Sequence, residues 1–313
     1  MLFIDNLEKI PPSLHHAAVT IGNFDGVHCG HVQLIQRVLA YCGQEEGVPS
    51  VVFTFHPHPA GVLHPQRGPQ PLMWINRKAK IMEQLGVDAV IACPTDREIL
   101  EWSPEEFFER ILCEKLHARH VVEGANFHFG RNRAGNTKTL AELCLLHGMS
   151  CEVAEPVIVD GEVVSSSRIR RLIGEGRVRE ANFMLSAPYR VRGMVVHGLA
   201  RGRTLGFPTA NLEAIDTLLP AHGIYAGRAI FNDRVYPAAI HVGPNVTFHE
   251  SVPKVEVHIL DFQESIYGKI LKVEFLEHLR EIVRFSSQEE LVAQMVKDTQ
   301  RVRGIFEKQQ PGT

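Results

Sequence analysis

The sequence predicts an α/β domain with a mainly parallel sheet, followed by an antiparallel β domain, a barrel or sandwich, that ends in one helix. Three observations carry that prediction. Up to about residue 185 short apolar runs alternate with longer helical patterns; after Pro188 strand-like runs follow each other at close spacing; and the last clear pattern is a single amphipathic helix. Alternating strand and helix implies βαβ units, because parallel neighbours need a crossover between them. The 313 residues suffice for two domains, each with its own core. The change of rhythm puts the boundary in "MLSAPYR" (184–190), dividing residues 1–186 from 187–313.

In the first half, "AAVTI" (17–21) precedes the helix pattern of Leu34, Ile35, Val38 and Leu39, and "SVVFTF" (50–55) precedes a helix ending at Leu85-Gly86. "VDAVIAC" (87–93) precedes "SPEEFFERILCEKL", where Ser103 and Glu106 form a capping box with Pro104 at the first helical position. "HVVEG" (120–124) precedes "TKTLAELCLLHG". The second half reads as the strands "YRVRGMVVHG", "GIYAGRAIF", "RVYPAAIHVG", "KVEVHILDF" and "KILKVEFL", with Asn232-Asp233 as a hairpin turn. The terminal helix, "SSQEELVAQMVKDTQRVRGIF", has Ser287 and Glu290 as a second capping box and Leu291, Met295, Val302 and Ile305 as its apolar stripe.

Hydrophobic residues at 44% and charged residues at 22% are ordinary globular usage and exclude disorder. The start, "MLFIDNLEKIPP", lacks a leader's basic flank and apolar run, so the expected location is cytoplasmic. Six cysteines without C-x-x-C spacing argue against a disulfide framework or a zinc ribbon. A net charge of −3 argues against bulk attraction to nucleic acid or an anionic membrane, so an anionic ligand needs a specific site. Nothing in the sequence sets an oligomeric state.

One such site is legible in "VTIGNFDGVHCGHVQLI" (19–35), where a strand's carboxyl end meets a helix's amino end. Unpaired N–H groups and the positive end of the helix dipole favour an anion there. Gly22, Gly26 and Gly30 permit close backbone approach, and His28 and His31 add two donors. The string is neither a Walker A loop nor G-x-G-x-x-G. A plain tight turn is the competing reading, and zinc at His28, Cys29 and His31 has poor ligand spacing. In "HGLARGRTLGFPTANL" (197–212), Gly198, Gly202 and Gly206 alternate with Arg201 and Arg203 before Thr209 and Asn211. Glycine at every fourth residue disfavours a helix and suits an anion-embracing loop, with a solvated barrel loop as the alternative. In "VEVHIL" Glu256 faces opposite to Val255, Val257 and Ile259, as a solvent-facing strand residue or a general base.

"GNFDGVHCGH" resembles the G-x-F-D-x-x-H-x-G-H signature of nucleotidylyltransferases. With "FTFHPHP", "GANFHFG" and "SSSRIRRLI" the first half looks like the FAD synthetase module of bacterial riboflavin kinase/FAD synthetase. "RGRTLGFPTANL", "GIYAG", "HVGPNVTF", "KVEVHILDF" and "LREIVRFSS" resemble its riboflavin kinase domain. The resemblance implies a Rossmann-like first domain, a β-barrel second domain and two separate ATP sites. It implies that Gly22, Phe24, Asp25, His28, His31, Ser165, Ser166, Ser167 and Arg170 bind ATP for adenylyl transfer, with Asn126 and Phe127 near the flavin. For the kinase it implies ATP at Gly198, Arg201, Gly202, Gly206, Thr209 and Asn211, Mg²⁺ at Thr209 and Asn211, and Glu256 as the base for the ribityl hydroxyl. The expected ligands are riboflavin, FMN, FAD and ATP.

Cys29, His56, Val246 and "SIYG" (265–268) depart from the family's usual residues. They keep two other readings open, an enzyme retaining only the kinase step and a flavin-binding protein without catalysis. Separate assays of the two half-reactions distinguish all three.

Overall fold

A computed structural model describes residues 1–198, 201–245, 247 and 252–308; Val246 lies outside the described residues, as does the side chain of Arg201. The chain divides into two compact units, Met1–Ser166 and Ser167–Thr313.

The first unit holds a six-stranded sheet of β1 (Leu2–Ile4), β2 (Ala18–Gly22), β3 (Ser50–His56), β4 (Ala89–Pro94), β5 (His120–Gly124) and β6 (Ser150–Ala154). The order is β1-β4-β3-β2-β5-β6 and every pairing is parallel. Val19, Ile21, Val51, Phe53, Ile91 and Val121 are buried in one core and Ala18 and Val122 in another, as expected of a sheet covered on both faces. The chain winds from β2 outward to β4 and then returns to β5 on the other side of β2. The carboxyl ends of β2 and β5 therefore flank a topological switch point, where open α/β sheets bind ligands.

The crossover helices match the sequence pattern with one exception. Ser103 and Glu106 form the expected capping box, with Ser103 Oγ accepting from Glu106 N at 3.1 Å. The helix Pro104–Phe107 then widens into a π-helix over Phe108–Lys115, where the Leu116 amide reaches back five residues to Ile111 at 3.1 Å. The wide turn still sets Phe107, Phe108, Ile111 and Leu112 into the core.

The second unit is a closed antiparallel barrel. Its strands are β7 (Arg190–Val196), β8 (Ala210–Glu213), β9 (Gly223–Phe231), β10 (Arg234–Gly243), β11 (Lys254–Ile259) and β12 (Ile270–Arg280), in the order β7-β8-β11-β10-β9-β12. β12 pairs with β7, so no edge is left open. Asn232 and Asp233 join β9 to β10 with φ of 49° and 60°, the left-handed pair that a two-residue hairpin requires. Ahead of the barrel, the helix Val178–Met184 is tied to it by Asn182, which donates to Phe275 O at 2.8 Å and accepts from Tyr189 N at 2.7 Å. The terminal helix Gln288–Lys308 packs Val302 and Ile305 on the barrel beside Ala226 and Leu279. Ser287 accepts from Glu290 N at 3.2 Å, but Glu290 reaches back to Ser286 N rather than to Ser287 N.

Candidate functional site

In the first unit the pairing of β2 with β5 ends at Val19 and Val121. Beyond it the strands part, and the fully buried Glu123 carboxylate takes the Ile21 amide at 2.5 Å in place of a ladder partner. Burial pushes the Glu123 pKa well above the usual carboxylate range. Gly22, Phe24 and Asp25 follow at this opening. Gly22 lies against the Phe24 ring, Phe24 and Val27 have φ of 46° and 39°, and Gly26 takes φ 89°. Three left-handed residues in four make a turn that only a well-held loop sustains.

His28 caps the helix Cys29–Cys42. Its Nδ1 accepts from His31 N at 3.3 Å, His31 Nδ1 accepts from His28 N at 3.4 Å, and the rings stack 3.6 Å apart. With each Nδ1 an acceptor, a neutral ring carries its proton on Nε2. Burial lowers the His28 pKa to about 4 and holds His31 well below its ordinary value. At neutral pH the pair is therefore two neutral N–H donors rather than two cations.

The second motif comes to the same turn, for Ser166 donates its hydroxyl to Asp25 O at 2.8 Å. Ser165 precedes it, and the helix Ser166–Gly174 carries Ser167 and Arg170 into the second unit. The Asp25 carboxylate takes the Leu72 amide at 3.0 Å on each oxygen, which anchors the turn. Asn126 is exposed and Phe127 half-buried just past β5, with Phe127 stacked on Phe129 at 5.4 Å. Sequence reasoning missed Lys78. Its ammonium is buried and donates to Asn23 O at 2.6 Å and Thr54 Oγ1 at 3.2 Å, and burial lowers its pKa to about 8. The lysine lies within a helix, Ile75–Gln84, whose polar face gave no signal.

In the second unit, strand register sets the site. Glu256 of β11 lies opposite Asn211 of β8 on one side and His241 of β10 on the other. One cavity takes in Glu256, Asn211, Thr209 and Gly202, together with His241, Asn245, Lys254 and the Arg280–Asp298 pair. Asn245 donates to Glu256 Oε2 at 3.2 Å, and His241 Nδ1 stands 3.9 Å from the same oxygen. Burial, then the charge of Arg280, lowers the His241 pKa to about 4, so it faces Glu256 as a neutral ring. Thr209 and Asn211 offer the hard oxygen donors that suit Mg²⁺, with a carboxylate alongside.

Gly198 and Gly206 do not line that cavity among its described residues. Gly198 instead abuts Asn211, since a Cβ there would sit 2.2 Å from Asn211 Nδ2, and Gly206 turns the chain at φ 84°. The expected loop holds a single helical turn, Arg201–Thr204, closed by Phe207 N on Gly202 O at 2.8 Å. One turn avoids the cost of interior glycines that a longer helix would carry. The terminal helix supplies Leu291, Met295, Asp298 and Thr299 to the wall, so half of its predicted core stripe faces the cavity.

The FAD synthetase family matches residues 10–168, and the riboflavin kinase family matches residues 185–306. A bifunctional riboflavin kinase/FMN adenylyltransferase of Listeria monocytogenes is 35% identical over 309 residues, covering 94% of this chain and 98% of that protein. Its counterpart from Haemophilus influenzae is 32% identical over 98% of this chain and 99% of its own. A crystal structure from Streptococcus pneumoniae, described as a macrolide-efflux protein, is 31% identical and superposes with a TM-score of 0.85 over 96% of this chain and 98% of its own. Among the described residues here, no helix is long and apolar enough to cross a membrane.

Proposed function

Because the chain belongs to the bifunctional riboflavin kinase/FMN adenylyltransferase family, we propose how its two halves divide that chemistry. The protein is an enzyme of flavin cofactor biosynthesis, making FMN from riboflavin and ATP and then FAD from FMN and a second ATP. Residues 187–313 carry the kinase and residues 1–186 the adenylyltransferase.

In the kinase, Glu256 takes the proton of the ribityl 5′-hydroxyl as that oxygen attacks the γ-phosphorus. Asn245 holds the carboxylate in place, and His241 stands beside it as a neutral ring. Thr209 and Asn211 would hold Mg²⁺, which neutralises charge on the transferring phosphates when bound. In the adenylyltransferase the FMN phosphate attacks the α-phosphorus and pyrophosphate leaves, so no protein nucleophile is needed. His28 and His31 donate Nε2–H to the phosphates, Ser165, Ser166, Ser167 and Arg170 add further donors, and Asn126 and Phe127 meet the flavin. Lys78 holds the glycine turn in shape from beneath. We place the work in the cytoplasm, where the six free cysteines stay reduced.

The observation that carries the kinase reading is the meeting of Glu256, Asn211 and Thr209 in one barrel cavity. Glu256→Gln should cut FMN formation from riboflavin by about 100-fold or more, the usual range for a general base, and leave FAD formation from FMN intact. A variant that still phosphorylates riboflavin at the wild-type rate would remove Glu256 from the chemistry.

A further inference from the structure

The π-helix Phe108–Lys115 carries Glu109 and Cys113, four residues apart on one face. His147 ends the helix Thr137–Leu146. Both helices run back against the strands and finish just before β5 and β6 begin, so these side chains gather at the amino edge of the sheet. The glycine turn that follows β2 lies at the carboxyl edge. One ligand atom from each of Glu109, Cys113 and His147 lies within 4.8 Å of the other two. Cys113 Sγ is 3.5 Å from His147 Nδ1, and His147 Nε2 is 3.7 Å from Glu109 Oε2. Phe108 packs on the imidazole at 5.3 Å between centroids and steadies it.

We propose that Glu109, Cys113 and His147 form a binding site for zinc or a metal of similar softness, separate from the Mg²⁺ used in phosphate transfer. Thiolate, imidazole and carboxylate are the three donor types zinc takes, with bonds of about 2.0–2.3 Å in a tetrahedron. Two such ligands across a tetrahedral angle stand about 3.5 Å apart, which is the Cys113–His147 spacing. The Glu109 oxygen now stands beside Nε2, and turning this exposed side chain toward the Nδ1 side would supply the third corner, with water as the fourth. Mg²⁺ favours all-oxygen sites, so the donor set discriminates against it. The same three groups in line could suggest a nucleophile with its base. The trio is open to water, however, with the Glu109 side chain 52% exposed, and suits an ion better than an organic substrate that needs an enclosed pocket. Binding replaces the thiol proton with the metal and releases that proton to solvent. The bound ion would clamp one crossover helix to another at the edge remote from the glycine turn.

The test uses the full-length protein, stripped with a chelator and held in excess Mg²⁺. Co²⁺ is titrated while the near-ultraviolet thiolate-to-cobalt band is followed, and Zn²⁺ affinity is read by competition with a chromophoric chelator. One equivalent should bind with the thiolate band, Cys113→Ser should abolish the band, and Cys113→Ser and His147→Ala should each weaken Zn²⁺ more than tenfold. Cys144→Ser, at a buried thiol on the same helix as His147, should change neither. Retained FAD formation shows that each variant is folded. A band that survives Cys113→Ser, or Zn²⁺ affinity equal in wild type and the Cys113→Ser/His147→Ala double variant, overturns the site.

Discussion

At the scale of the residue, the two histidines of the glycine turn show how burial and a cap decide chemistry. Sequence placed His28 and His31 at a helix start as donors; the reciprocal Nδ1 caps and the lowered pKa values make them neutral ones. A histidine that protonates at about 4 when folded and at 6.5 when unfolded binds fewer protons in the native state between those values. Stability is then fully present above pH 6.5 and is lost as pH falls toward 4. From pH 7 to pH 5 the His28 contribution should fall by about 2 kcal/mol. Both tryptophans, Trp74 and Trp102, lie in the first unit, so their fluorescence during urea unfolding reads that unit. Wild type should lose more stability than His28→Asn over this interval; parallel losses would mean that His28 is solvated and ordinary. Lys78 shows the converse limit. No motif marks it, because its place depends on two groups distant in sequence, the Asn23 carbonyl and the Thr54 hydroxyl, brought to it by folding.

At the scale of the element, strand register is what brings separate motifs into the cavity we propose as the kinase site. "PTANL" and "VEVHIL" are read apart in the sequence, yet β8 and β11 set Asn211 directly opposite Glu256. The glycine string before them reads as an anion-embracing loop, and Gly198 packs closely against the Asn211 amide, where a Cβ would sit 2.2 Å from Nδ2. Gly198→Ala should push that amide aside and lower kinase kcat/KM by roughly tenfold, equivalent to about 1.4 kcal/mol. Adenylyl transfer measured on FMN should be unchanged in the same variant. Unaltered riboflavin phosphorylation would show that Asn211 finds its place without the glycine. The same scale explains the helices that differed from expectation. Periodicity identifies a helix and its buried face, but an α-turn and a π-turn over Phe108–Lys115 bury the same apolar residues.

At the scale of the whole molecule, the chain divides into two compact units, and the glycine turn with His28 lies in the first while the cavity with Glu256 lies in the second. Each half-reaction should therefore be lost alone. Glu256→Gln and a His28→Ala variant, each unable to make FAD from riboflavin, should restore FAD when mixed, after a lag in which free FMN builds up. No FAD from the mixture, despite normal single half-reactions, would show that FMN must pass within one chain.

The sequence by itself determined the alternation of strand and helix in the first half, the antiparallel run in the second, the Asn232-Asp233 hairpin and the motif strings on which both proposed sites rest. Those features are local: a period of apolar residues, a capping pair or a glycine turn is encoded within a few consecutive positions. Only the tertiary structure decided the strand order in which the barrel closes, the parting of β2 from β5 bridged by Glu123, the buried ammonium of Lys78, the Asn245 and His241 neighbours of Glu256, and the use of Leu291 and Met295 as cavity wall. Each of these depends on which strands pair and in what register, and residues far apart in sequence meet only once the chain has closed.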